Sequence, residues 1–180
     1  KMIKKHILTD TPLFVGDVNM PKEWHIEKDE MVKHITISHY YEDVQDKFYK
    51  TRDRLETFIR EYMHVDHNYL ITRGDGHHPY AKYYERNEIS KPILEVNPFN
   101  LKASPDWVCL YGVEIDPGSC KIIITYDDNR KKNKTWTVDL KTNKFVMFPA
   151  TLSYYIENKN NSHLNYIQTL TYVNAGDVCY

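Results

Sequence analysis

The run Phe145-Val146-Met147-Phe148-Pro149-Ala150-Thr151-Leu152-Ser153-Tyr154-Tyr155-Ile156-Glu157 lies within the most continuous β signal of the chain, Lys121–Val173. Ahead of it, Ile122–Tyr126 and Thr135–Leu140 alternate between apolar and polar residues. The polar turn Asp127–Lys134 divides them, and Lys141–Lys144 leads into the run. After it, Leu164–Val173 alternates again and is rich in Tyr, Thr and Ile. β-branched and aromatic residues suit a pleated, half-buried surface, and Asn, Asp and Lys clusters mark turns. The four runs therefore predict consecutive antiparallel strands.

Upstream, Trp107–Ile115 is almost wholly apolar and predicts a buried strand. Asp116-Pro117-Gly118-Ser119 predicts a turn, because Pro presets φ at the second position and Gly supplies a positive φ at the third. Cys120–Tyr126 is then expected to return antiparallel. Pro92–Pro98 reads as a strand entering this β core, and Tyr80–Lys91 as a short helix or loop. Near the start, Pro12–Val15 reads as a short edge strand, where Pro is tolerated. Pro21–Glu30 reads as a polar connection, and Met31–Ser38, with Val32, Ile35 and Ile37, as a further strand. One amphipathic helix is expected, over Glu42–Met63. Val44, Phe48, Leu55, Phe58, Ile59 and Tyr62 form an apolar stripe for packing outside the sheet. Asp43 with Lys47, Asp46 with Lys50, and Glu56 with Arg60 support it as acid-before-base pairs.

At 180 residues and 21.5 kDa the chain is expected to be one domain, with residues 1–91 an α-containing segment and 92–174 the core strands. A net charge of −1 provides no global field toward nucleic acid or an anionic membrane, so neither is an expected partner. The basic stretch Arg130–Lys134 reads as a solvated hairpin tip, with contact to nucleic acid or an acidic partner as the alternative reading. No apolar run approaches the roughly 20 residues that span a bilayer. Cys109, Cys120 and Cys179 are spaced too widely for a zinc site or a disulfide framework, which predicts a reducing compartment. The 15 tyrosines, with abundant Lys and Asn, have two readings. One is the codon bias of an AT-rich genome, common in phages and viruses; the other is a Tyr-rich contact surface.

Most of the metal-ligating chemistry sits in His64-Val65-Asp66-His67 and in Gly74-Asp75-Gly76-His77-His78. On a strand, His64 and Asp66 would point to one face, as facial-triad iron ligands do. His67, His77 and His78 could complete a metal set. The competing reading is a polar surface loop, because the spacing matches no metal motif and Gly74-Asp75-Gly76 signals a tight turn. No nucleophile elbow, Walker motif or dinucleotide fingerprint is present.

The segments FVMFPATLSYYIENKNNS (145–162) and NYIQTLTYV (165–173) resemble the C-terminal strands of the double-stranded β-helix of 2-oxoglutarate and iron(II)-dependent oxygenases. The likeness is to the prolyl-hydroxylase-like group often found in phages. There, Phe-Pro is followed by a metal-binding His, a polar turn and an Arg-x-Ser strand. DWVCLYGVEIDPGSCKIIITYDD (106–128) is similar to the segment in which a strand and a Pro-x-x-Gly turn precede the next strand. Placed on the Phe-Pro of the family, Phe148-Pro149 puts Tyr154 at the distal iron-binding His. It also puts Glu95-Val96-Asn97 near the proximal His-x-Asp, and Asn165–Ile167 where an Arg holds the cosubstrate. No His occurs between His78 and His163, and no Arg after Arg130.

The resemblance thus implies a jelly-roll fold whose site, around Glu95, Asn97, Tyr154 and Asn165, has lost its metal ligands. The expected function is a non-catalytic binding or structural module without cofactor, encoded by a phage or virus. It would act in the host cytoplasm or the virion, through a protein partner or self-association. Two alternatives stand. One is an active hydroxylase using Fe(II) and 2-oxoglutarate, with His64 and Asp66 as ligands and a Lys such as Lys144 in place of the Arg. The other is a virion-assembly jelly roll.

Overall fold

The structure, a computed structural model, describes residues 9–18, 24–40, 49–73 and 80–175. In order these form β1 (Phe14–Asp17), α1 (Trp24–Tyr40), α2 (Tyr49–His67), β2 (Ile71–Thr72), β3 (Tyr80–Tyr84) and β4 (Trp107–Glu114). β5 (Cys120–Tyr126), β6 (Lys134–Leu140), β7 (Lys144–Pro149), β8 (Ser153–Asn158) and β9 (Asn165–Asn174) follow. The larger sheet runs β1-β7-β4-β9, with β2 and β3 both on the far edge of β9. The smaller sheet runs β6-β5-β8. Residues 88–93 extend it along β8: the Ile93 N–H donates to the Tyr154 carbonyl (2.7 Å), the Tyr154 N–H to Ile93 (3.0 Å) and the Ser90 N–H to Ile156 (2.9 Å).

From β4 onward the chain passes repeatedly between the sheets: β4 in the large, β5 and β6 in the small, β7 in the large, β8 in the small, β9 in the large. That winding is a double-stranded β-helix, or jelly roll. Of the strands expected to be consecutive neighbours, β5 and β6 pair as a hairpin. The run 145–157 is instead two strands in different sheets, parted by a turn in which the Leu152 N–H donates to the Pro149 carbonyl (3.1 Å). β5 likewise does not return against β4; the turn at Asp116–Ser119 carries it across to the other sheet. Gly118 has φ +74° there, as a Pro-Gly turn requires.

Burial on two faces accounts for the unbroken apolar strands. On β4, Val108 and Leu110 pack between the sheets, whereas Cys109, Tyr111 and Val113 pack under the helices. On β7, Val146 and Phe148 face inward and Phe145 and Met147 face the helices. A strand covered on both sides has no polar position to alternate with. At Gly112 the turn Lys141–Lys144 lies directly on β4, and a Cβ there would overlap the Lys141 carbonyl oxygen.

The outer layer corrects three expectations. First, two helices, not one, cover the large sheet. Pro21–Glu30 and Met31–Ser38 were expected as connection and strand, but residues 24–40 form α1, with Met31 and Ile35 buried one helical turn apart. Within α2, Leu55, Ile59 and Met63 are fully buried; the stripe positions Val44 and Phe48 lie outside the described residues. Asn68 ends α2 at φ +57°, and its own N–H donates back to the His64 carbonyl (3.0 Å), an αL closure. Second, Tyr80–Tyr84 is a strand on β9 rather than a helix or loop, so the sheets begin before residue 92. Third, residues 92–98 pair only through Ile93.

Candidate functional site

Three side chains from separate segments meet between the sheets. β3 carries Tyr80 and Tyr84 at alternate inward positions, the chain after Ile93 carries Glu95, and β8 carries Tyr154. The Tyr80 and Tyr154 hydroxyls each donate to Glu95 Oε1 at 2.7 Å, and the two phenol oxygens lie 3.5 Å apart. Tyr154 is buried and packs edge-on against Phe148, with ring centroids 5.4 Å apart. Its position is set by the reciprocal backbone pair with Ile93, two residues before Glu95. Tyr80 is set by its pairing with Thr169, and its carbonyl accepts from Gln168 Nε2 (2.9 Å).

Electrostatics keep both phenols protonated. Burial, then the Glu95 charge, pushes Tyr80 up to about 12. Burial pushes Tyr154 far above the usual phenol range, with Tyr80 and Glu95 adding to it. Tyr84 is shifted the same way, chiefly by burial.

The other expected site residues lie elsewhere. Asn97 sits on an exposed turn, its Oδ1 accepting from the Phe99 N–H (2.9 Å) and its own N–H donating to Ser104 Oγ (2.8 Å). Asn165 belongs to a separate buried network: its Nδ2 donates to Asn158 Oδ1 (2.8 Å) and Ser119 Oγ (2.9 Å), and its Oδ1 accepts from the Asp116 N–H (2.8 Å). His64, Asp66 and His67 stand exposed at the end of α2, outside the roll. Because they are on a helix, His64 and Asp66 do not share a face as they would on a strand. The His67 ring packs on Phe14 (4.8 Å) and Tyr62 (5.2 Å). His77 and His78 lie outside the described residues. Lys144 Nζ donates to the Asp139 carbonyl (3.0 Å), at the opposite end of β7 from Phe148. Sequence reasoning did not single out Tyr80. The spacing Tyr80-x-x-x-Tyr84 carries no signal of its own, because positions four apart share a face on a helix as well as on a strand.

The roll has the fold of the 2-oxoglutarate and iron(II)-dependent oxygenases, with prolyl hydroxylases as structural neighbours. A prolyl hydroxylase from Trichoplax adhaerens, solved with a hypoxia-inducible-factor oxygen degradation domain peptide fragment, superposes with a TM-score of 0.59. Identity is 11%, over 92% of this chain and 84% of that one. A prolyl-4-hydroxylase from Pseudomonas putida gives 0.55 at 8% identity, over 91% and 93%. At these identities the likeness is one of fold. No protein family and no curated protein matches the sequence.

Iron of that class takes two imidazoles and a carboxylate, all able to offer a lone pair. Among the described residues, the three side chains that meet here supply one carboxylate, already accepting two hydrogen bonds, and two phenols. That donor set does not fit the ion. Among the described residues no group of three or more His, Cys, Asp or Glu is placed to hold a metal. No described helix is long and apolar enough to cross a membrane.

Proposed function

We propose that this chain is a non-catalytic binding module on the oxygenase fold, with Tyr80, Glu95 and Tyr154 forming a structural tie in place of an iron cradle. The observation that supports this reading is the pair of 2.7 Å phenol donations to Glu95 Oε1, which join β3, the segment after Ile93 and β8 through side chains. A carboxylate satisfied in this way stabilises the roll without needing a cation. The module's ligand is a protein. The Tyr-, Lys- and Asn-rich composition supports its being encoded by a phage or virus.

The test is a thermal scan with and without Fe(II) and 2-oxoglutarate, alongside metal analysis of the purified protein. A ligand at one hundred times its Kd stabilises the native state by about 2.7 kcal/mol, a shift of several degrees. No shift and no stoichiometric iron are expected. Iron-dependent succinate release that disappears in Glu95→Ala would overturn the reading.

A further inference from the structure

The roll is not closed along its whole length. On the inward face of β6, Leu140 and Val138 are 0% and 5% exposed, yet Trp136 is 56% exposed. Trp136 lies directly across from the buried Ile124, so it faces the same interior. The sheets therefore part toward the β5–β6 turn. The gap is an open cavity of about 310 Å³ walled by Pro12, Leu13, Ile124, Trp136, Phe148 and Leu152.

β6 is also the last strand of its sheet, and among the described residues nothing pairs with its outer edge. An open edge is a template for another strand. The Lys144 ammonium covers only the Asp139 carbonyl, near one end. At the other end the hairpin tip separates its charges. The carboxylate of Asp128 accepts from the Arg130 and Lys131 N–H groups and pairs with Lys134, and Asp127 accepts from the Asn133 N–H (2.8 Å). The acids are thus engaged within the turn, while Arg130, Lys131 and Lys132 are exposed beside the free edge.

We propose that the β6 edge and the adjoining cavity together bind an extended acidic segment of a partner protein. Its backbone adds a strand to β6, one bulky apolar side chain fills the cavity against Trp136, and its carboxylates meet Arg130, Lys131 and Lys132. A second copy is the poorer occupant. An antiparallel β6–β6 pair would set each basic tip against the other copy's Lys141 and Lys144, offset only by Asp139. The cavity adjoins the Tyr80–Glu95–Tyr154 cluster, since its wall residue Phe148 packs on the Tyr154 ring, but none of those three side chains lines it, and the β6 edge is two strands from β8.

The test is selection of a display library of random peptides, each longer than β6, on the full chain. Trp136→Lys and the triple variant Arg130→Glu, Lys131→Glu, Lys132→Glu are then measured against the selected peptides. Both variants change exposed side chains, and an unchanged Tm confirms that they fold. Enrichment of acidic peptides with a central aromatic or aliphatic residue is expected, with affinity falling at least about tenfold in each variant, as for a buried anchor. Bound peptide should slow hydrogen exchange of β6 amides. The proposal is overturned by no enrichment, by peptides that bind Trp136→Lys equally well, or by exchange protection elsewhere. It also fails if light scattering shows a wild-type dimer that Trp136→Lys breaks, since the second copy would then be the occupant.

Discussion

Glu95 Oε1 accepts hydrogen bonds from two phenols, so each hydroxyl is a separable contribution to stability. A hydrogen bond to a charged group contributes about 1.5–3 kcal/mol. Tyr154→Phe keeps the ring packed on Phe148 and removes only the donor. Urea denaturation should show a loss of about that size, and an unchanged midpoint would mean that the contact carries no load. The same tyrosines predict an alkaline limit. Tyr80 titrates near 12 in the folded chain against an ordinary 10.0, so the folded state holds its proton longer than the unfolded state. That stability is fully present below pH 10 and is lost as pH rises toward 12. Each such group contributes at most about 1.4 kcal/mol per pH unit, and Tyr154 and Tyr84 act in the same direction. Tyr80→Phe should flatten the slope of stability against pH in that window; an equally steep slope would remove Tyr80 from the account. The Phe148-Pro149 alignment, which depends on spacing along the chain, named Glu95, Asn97, Tyr154 and Asn165 together, and of these only Glu95 and Tyr154 touch one another through a side-chain hydrogen bond. Asn97 lies on a turn and Asn165 in a separate buried network, because a side chain's direction at the end of a strand depends on the adjoining turn.

Among the elements, α2 was legible and α1 was not. Leu55, Ile59 and Met63 recur at helical spacing and all reach the sheet, so the pattern and the burial agree. Ile59→Ala should cost about 2–5 kcal/mol, as deletion from a packed core does. Val65→Ala, at a residue 77% exposed on the same helix, should leave the Tm unmoved. Equal effects would mean that α2 is not docked. In α1, Val32, Ile35 and Ile37 imitate a strand, and the helix contains the β-formers Ile, Thr and Val. Its conformation follows from docking on the sheet: Met31 and Ile35 are buried, and the Thr36 hydroxyl donates to the Val32 carbonyl (2.8 Å) and meets Tyr166 OH (3.1 Å). Packing of one helical face outweighs propensity in such cases. β3 was missed for the opposite reason, since five residues carry too little pattern of their own and their pairing with β9 supplies the order.

Across the whole molecule, the large sheet is shared by two cores. Cys109 lies in the layer beneath the helices and Cys120 in the layer between the sheets. Both are buried, and burial raises both thiols, Cys120 to about 12. Because β4 and β7 contribute side chains to both layers, the two should open as one unit. In a Cys179→Ser background, alkylation followed by mass spectrometry should modify Cys109 and Cys120 together, at the rate of global unfolding. Labelling of Cys120 alone would show that the roll opens without the helical layer. The inventory of donors was determined by the sequence itself. No His between His78 and His163 and no Arg past Arg130 are covalent facts that no folding can change. The strand-rich composition and the turns were likewise written locally, in β-branched runs and in Pro-Gly and Asn positions. The partition of 145–157 between two sheets, the second helix, and the meeting of Tyr80 with Glu95 and Tyr154 came only from the folded chain. Each of these depends on which distant strand lies alongside, and pairing partner and register belong to two segments at once, so neither segment's sequence specifies them alone.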